Sequence, residues 1–262
     1  MRQSKTLARI RNNETVRMCA LGHFIPGFIK HAAHNGFDCI WLDLEHRNFT
    51  ERDVQALLAH SHLHDIDIML RAPTLEKIRL YRFLEDGAAG LMIPHVNTAA
   101  KAQMLVDAVK HPPLGDRGLD GAGLDADYLV GGLEGVADYL SKVNDETFLV
   151  VQIETPEAVN NVEEIAAVDG VSAIFVGPGD LGLRLKHHDG DMTLEGAFET
   201  VAAACKRHGT AWGTPVGTIE DLVKRQAQGG QLLAHGGDFG AMMKMLKSCG
   251  ENFSDNPRGA AS

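Results

Sequence analysis

The chain has 262 residues, 44% hydrophobic and 23% charged, a composition that excludes a disordered, collagen-like or disulfide-stapled polypeptide. Its 25 Lys and Arg against 35 Asp and Glu leave a formal charge of −10, which repels phosphate backbones and argues against a nucleic-acid partner. No apolar run approaches the roughly 18 residues of a bilayer span, the first residues lack a signal-peptide core, and Cys19, Cys39, Cys205 and Cys249 show no CxxC spacing, so the expectation is a cytoplasmic protein with free thiols and no membrane partner.

Apolar runs and amphipathic stretches alternate from end to end. The predicted strands are 18–21, 39–44, 66–71, 90–94, 148–154, 173–176, 211–214 and 231–234. Several are continuous apolar runs, as expected of parallel strands covered on both faces. The clearest predicted helices are 51–62, 74–86, 98–109, 156–167, 194–208 and 219–228. Repeated strand–helix units with right-handed crossovers and no linker to divide them favour an α/β fold, a single (β/α)8 TIM barrel over 1–250. The residues 251–262 are expected to form a frayed tail. The segment 111–133, rich in Gly, Pro and Asp, is expected to be a long functional loop.

In such a barrel the chemistry sits at the carboxyl ends of the strands. Those ends carry Asp43, Glu45 and His46, then Arg71, then Pro94 and His95, then Gln152 and Glu154, then Gly177, Pro178, Gly179 and Asp180. Alternation places Gln152 and Glu154 on one strand face and Val151 and Ile153 on the other, so the polar pair points into the barrel. Thr155 and Pro156 can start the next helix unaided, leaving Glu154 free as a ligand or general base, or as an ordinary loop carboxylate. Asp180 follows one βα unit later and can meet it in space. Two such like charges need a cation or a shared proton between them; by itself Asp180 also reads as a helix cap. Trp41, Asp43 and Glu45 share a face, and His46 reads as a general base or a structural histidine. Arg71, closing an apolar strand, can fork onto an oxyanion or pair with a strand-end acid. The Gly177–Gly179 turn lets backbone N–H groups approach an anion. His60, His62 and His64, and His187 with His188, read as solvated surface rather than metal clusters. There is no GxGxxG after the first strand, no Walker loop, and no lysine at a strand end for a Schiff base.

The stretches GFDCIWLDLEHRNF, MLRAP, EDGAAGLMIPHVNT, HPPLGDRG and VVQIETPEAVNNVEEIAAVDGVSAIFVGPGDL together resemble the HpcH/HpaI metal-dependent (class II) pyruvate aldolases of the phosphoenolpyruvate/pyruvate barrel superfamily. The resemblance implies a lyase that cleaves or forms 4-hydroxy-2-keto acids from pyruvate, or an analogue, and an aldehyde. It implies a divalent cation, Mg2+ or Mn2+ with Co2+ as an alternative, held by Glu154 and Asp180. His46 takes the place of the catalytic base and Arg71 that of the enolate-stabilising arginine. Gln152 and Asp43, with Glu45 beside them, support the site, and Gly177, Pro178 and Gly179 hold the keto-acid carboxylate. Glu85 stands where the family has an Asp paired with the histidine. The turn is GPGD rather than GPAD, Leu44 replaces a common Gly, and 119–133 departs from the usual Arg-containing acceptor loop. The resemblance also implies a homo-oligomer, a hexamer or trimer of dimers, that exchanges a C-terminal helix. A citrate-lyase-like acyl-CoA lyase, an oxaloacetate-type decarboxylase and a non-catalytic keto-acid-binding barrel share the same core, and are the alternatives.

Overall fold

The computed structural model describes residues 2–255. Eight parallel strands, β1 (Val16–Leu21), β2 (Cys39–Asp43), β3 (Asp67–Arg71), β4 (Gly90–Ile93), β5 (Phe148–Ile153), β6 (Ala173–Val176), β7 (Ala211–Val216) and β8 (Leu232–Gly237), close into a barrel in sequence order. The expected (β/α)8 barrel is thus what the chain forms, and each predicted strand is present within a few residues. β8 extends furthest past its predicted end, because Gly236 and Gly237 carry no side-chain signal.

Strand alternation divides the apolar residues into two cores. Val16, Met18, Cys39, Met69, Met92, Phe148, Val150, Phe175 and Leu232 fill the barrel interior. Leu42, Ile68, Leu70, Leu91, Leu149, Val151, Ile153, Ile174 and Val176 face the surrounding helices. Both faces are therefore dry, which is why the strands read as unbroken apolar runs. The predicted helices are α3 (Glu51–Leu63), α4 (Lys77–Glu85), α5 (Ala99–Val109), α10 (Leu194–His208) and α11 (Ile219–Ala227), while the predicted 156–167 is two short helices, α7 (Pro156–Asn160) and α8 (Val162–Ala166). The break falls at Asn161, whose side chain donates to the Asn97 carbonyl at 2.8 Å.

Five further helices complete the described chain: α1 (Lys5–Arg11), α2 (Pro26–His34), α6 (Gly132–Glu146), α9 (Pro178–Leu185) and α12 (Asp238–Asp255). α1 plugs the amino end of the barrel. Leu7 enters the interior core, and buried Asp67 accepts from Ser4 Oγ at 2.7 Å and the Thr6 N–H at 2.8 Å. α12 continues past Gly250, where a frayed tail was expected, to Asp255. The ion pair between Lys247 and Glu251, four residues apart at 3.9 Å, supports that extra turn. The rest of the expected tail, 256–262, lies outside the described residues.

The segment 111–133 joins α5 to the start of the next strand unit, so it lies at the amino end of the barrel. Within one chain, that places it away from the strand-end mouth. Short 3-10 turns at Leu124–Leu129 and the partly buried Asp125 carboxylate, which accepts from Arg117 at 2.8 Å and from the Tyr139 hydroxyl at 2.7 Å, pin it there. His62 also turns inward, with Nε2 2.9 Å from the Gly87 carbonyl, rather than facing solvent. All four cysteines are free thiols. No described helix is long and apolar enough to cross a membrane.

Candidate active site

β2 and β3 run side by side with Asp43 in register with Arg71, so their last side chains meet at the mouth. Arg71 is 7% exposed. Its Nε and one terminal nitrogen fork onto Asp43 at 2.8 and 2.7 Å, its other terminal nitrogen lies 3.0 Å from Glu45, and its Cζ sits 4.8 Å over the Trp41 ring. Burial pushes the Asp43 carboxyl up, but the Arg71 fork and charge more than offset that and hold it below its usual value. Asp43 also accepts from the Glu45 and His46 N–H groups at 3.1 and 3.4 Å, which folds the loop after β2 over the mouth. His46 is 55% exposed at its side chain, with Nε2 3.6 Å from Glu45.

Across the barrel, Glu154 leaves β5 pointing inward, as the alternation predicted, and is 2% exposed. One carboxylate oxygen accepts the His95 N–H at 3.0 Å and lies 3.1 Å from His95 Nδ1; the other accepts from Gln152 at 3.3 Å. A Cβ on Gly177 would stand 2.5 Å from that second oxygen, so only glycine lets the β6 turn close over it. Burial raises the Glu154 carboxyl; the charges of Asp180 and Glu45 add to the rise, and His95 offsets part of it. The charge of Asp180 therefore reaches Glu154, at the same end of the barrel. Asp180, in the first turn of α9, is 42% exposed and bonded to Arg184 at 2.9 Å. Arg184 also donates to the Glu154 carbonyl at 3.1 Å, tying the two acid-bearing segments together.

The structure thus brings Asp43, Glu45, His46, Arg71, Gln152, Glu154, Gly177, Pro178, Gly179 and Asp180 to one mouth. It does not bring Glu85 there. Glu85 ends α4 at the opposite end of the barrel, beside Arg82, Asp120 and Leu124, where burial raises its carboxyl against the lowering charge of Arg117. The expected His46–Glu85 pair is not formed within one chain, because α4 runs antiparallel to the strands and delivers its last residue to their amino ends. Two residues given no role by sequence reasoning prove central. His95, held in left-handed backbone (φ 55°), spans Glu154 and Glu45, the latter 3.8 Å from Nε2; its strand-end position was the available signal. Arg184, four residues after Asp180 on one helix face, is the other.

Among the described residues no three or more His, Cys, Asp and Glu side chains are grouped to hold a metal. The two carboxylates nevertheless fit a hard divalent cation that takes its other oxygens from water and ligand. The buried Gln152 Oε1 has no hydrogen-bond partner, as an acceptor facing such water would require. From Arg71 and Asp43 a cavity of about 620 Å³ extends towards β1, β8 and α12, lined by Trp41, His46, Arg47, Phe239 and Lys244 among others.

Residues 18–244 match the family model for HpcH/HpaI aldolase/citrate lyase. A 4-hydroxy-2-oxovalerate aldolase of Novosphingobium aromaticivorans is 34% identical over 84% of this chain and 82% of its own length. A hydroxypyruvate/pyruvate aldolase of Deinococcus radiodurans is 31% identical over 91% of this chain and 85% of its own. The crystal structure of an HpcH/HpaI aldolase from Desulfitobacterium hafniense superposes with a TM-score of 0.84 at 27% identity, covering 97% of this chain and 98% of the other. With the barrel, the strand-end acids and these likenesses in agreement, the chain belongs to the HpcH/HpaI aldolase/citrate lyase family.

Proposed function

We propose that the protein is a metal-dependent pyruvate aldolase that cleaves or forms 4-hydroxy-2-keto acids. The observation that carries this reading is the Glu154 carboxylate, raised by burial with the charge of Asp180 adding to the rise, and locked by Gln152, His95 and Gly177. Glu154 and Asp180 would hold a divalent cation, Mg2+ or Mn2+, which when bound supplies Lewis acidity at the keto acid.

The chain's own residues account for the remaining steps. The α9 amino end has no side-chain cap, so its first N–H groups remain for the keto-acid carboxylate. In the cleavage direction His46 takes the proton of the C4 hydroxyl, the C3–C4 bond breaks to release the aldehyde, and its electron pair leaves C2 as an enolate. Arg71, already charged and desolvated, stands where that oxyanion develops. Reprotonation at C3 gives pyruvate. Asp43 and Glu45 hold Arg71 in place. A pairing of His46 with Glu85 belongs to contact between two copies of the chain. α12 exposes Met242, Met243, Met245 and Leu246, a stripe suited to a homo-oligomer in which this helix is exchanged; sedimentation as a monomer would refute that part.

The test is proton exchange at the pyruvate methyl together with pyruvate release from a 4-hydroxy-2-keto acid. Both should vanish on chelation and return with Mg2+, Mn2+ or Co2+. Full activity of Glu154→Ala without added metal would overturn the reading.

A further inference from the structure

The two acids that would hold the cation are not equally fixed. Glu154 is restrained on three sides, by Gln152, by the His95 N–H and by the Gly177 backbone. Asp180 has no such cage. It stands at the third position of α9, whose amino end has no side-chain cap. The backbone N–H that an acid at this position reaches back to, here that of Gly177, is already bonded to the Ile153 carbonyl at 3.1 Å. Among the described residues, Arg184 at 2.9 Å is the one hydrogen-bond partner of the Asp180 carboxylate.

The packing of α9 puts Arg184 where it can do this. Leu181 is fully buried and Leu185 packs against the same helix-facing core, so one stripe of the helix is anchored. Asp180 and Arg184, each one residue earlier, form the neighbouring stripe and meet across one turn. A terminal guanidinium nitrogen carries two hydrogens. That of Arg184 donates to Asp180 Oδ1 at 2.9 Å and to the Glu154 backbone carbonyl at 3.1 Å. A single nitrogen thus ties the first turn of α9 to the end of β5, and it leaves Asp180 Oδ2 for a cation. Two effects of this guanidinium on a divalent cation oppose each other: its charge repels the ion, and its bond orients the ligand. The Arg184 side chain is 38% exposed, and a charge so screened changes a binding constant by up to about fivefold. A group that orients a metal's carboxylate changes affinity by about 10- to 100-fold. Orientation therefore outweighs repulsion.

We infer that Arg184 is a positioning residue that fixes Asp180 for the cation and so sets the affinity of the protein for divalent metal. This inference rests on the metal-dependent reading above. Mn2+ alone is titrated into chelator-stripped protein, and free Mn2+ is read by electron paramagnetic resonance. Arg184→Met should raise the Kd for Mn2+ by about 10- to 100-fold. Arg184→Lys keeps a donor for Asp180 but cannot serve both acceptors, so its Kd should fall between the two. Lys186→Met removes the same charge two residues along α9's exposed end, touches neither acid, and should leave the Kd within about fivefold. In an Asp180→Ala background the positioned group is gone, and Arg184→Met should add less than about twofold. An unchanged or lowered Kd in Arg184→Met, an equal rise in Lys186→Met, or the full rise repeated in Asp180→Ala overturns the assignment. If Arg184→Met does not fold, Arg184→Lys carries the test, and a Kd equal to that of the unmodified protein refutes it. The unmodified protein separates the two claims. If it binds Mn2+ and exchanges the pyruvate methyl protons while Arg184→Met binds equally well, only the role of Arg184 fails; if it binds no Mn2+, the metal-dependent reading fails and the role of Arg184 with it.

Discussion

Replacing Gly177 by alanine tests the site at its tightest point. The backbone φ of −91° accommodates any residue, so the cost comes from contact alone. The new Cβ would lie 2.5 Å from a Glu154 carboxylate oxygen and 2.7 Å from its Cγ. The oxygen must retreat by about 0.9 Å to reach ordinary contact at 3.4 Å. It cannot do so freely, because its partner oxygen is bonded to the His95 N–H and it is itself bonded to Gln152. Overpacking of this kind costs about 1–3 kcal/mol, and a displacement near 1 Å at a reacting centre costs on the order of 10²-fold in rate. Gly177→Ala should therefore lower kcat/KM for pyruvate release about 100-fold and lower Tm by several degrees. In a Glu154→Ala background the struck group is gone, so the same substitution should cost almost no stability. Unchanged turnover in Gly177→Ala, or a stability loss of equal size in both backgrounds, would refute the reasoning.

Arg71→Lys keeps a charge but loses the fork onto Asp43; turnover should fall about 10²–10³-fold, and steady-state kinetics at unmodified levels would contradict the enolate role. Arg71→Met leaves the Asp43 carboxylate without its counter-charge, held only by the Glu45 and His46 N–H groups, which should cost about 3–5 kcal/mol in denaturant unfolding. Lys110, nearly buried and donating to the Asn144 carbonyl at 2.6 Å and the Thr147 carbonyl, is pushed by burial from its ordinary 10.5 to about 8. The folded protein then loses this proton near pH 8 and the unfolded chain near 10.5, so the unfolded state binds more protons between them. Relative to Lys110→Met, stability should rise by up to about 1.4 kcal/mol per pH unit across that window and stay level below it. Parallel curves for the two proteins would show that the burial effect is absent.

The strand order and most of the site could be read from the chain because parallel-barrel physics leaves a local trace. Buried strands must be apolar throughout, and the first polar residue after each run is a mouth residue, which located Asp43, Arg71, Glu154 and Asp180. The short α1 left less of a trace, since it buries Thr6 and Leu7 against the barrel end over only seven residues. The direction in which a helix delivers its last residue is likewise a property of the closed barrel. For that reason Glu85 and the segment 111–133, plausible in sequence, lie at the amino end. His95 became visible as the bridge between Glu154 and Glu45 only once β4 and β5 were paired.

What the amino-acid order determined alone was the alternation of buried strands and covering helices, and with it the residues that can stand at a strand's carboxyl end. Closure of the sheet decided which of those residues meet. Side chains far apart along the chain share a cation or a proton only when backbone hydrogen bonding brings their strands round into one ring. That ring set Arg71 between Asp43 and Glu45 and placed Glu154 within reach of the charge of Asp180.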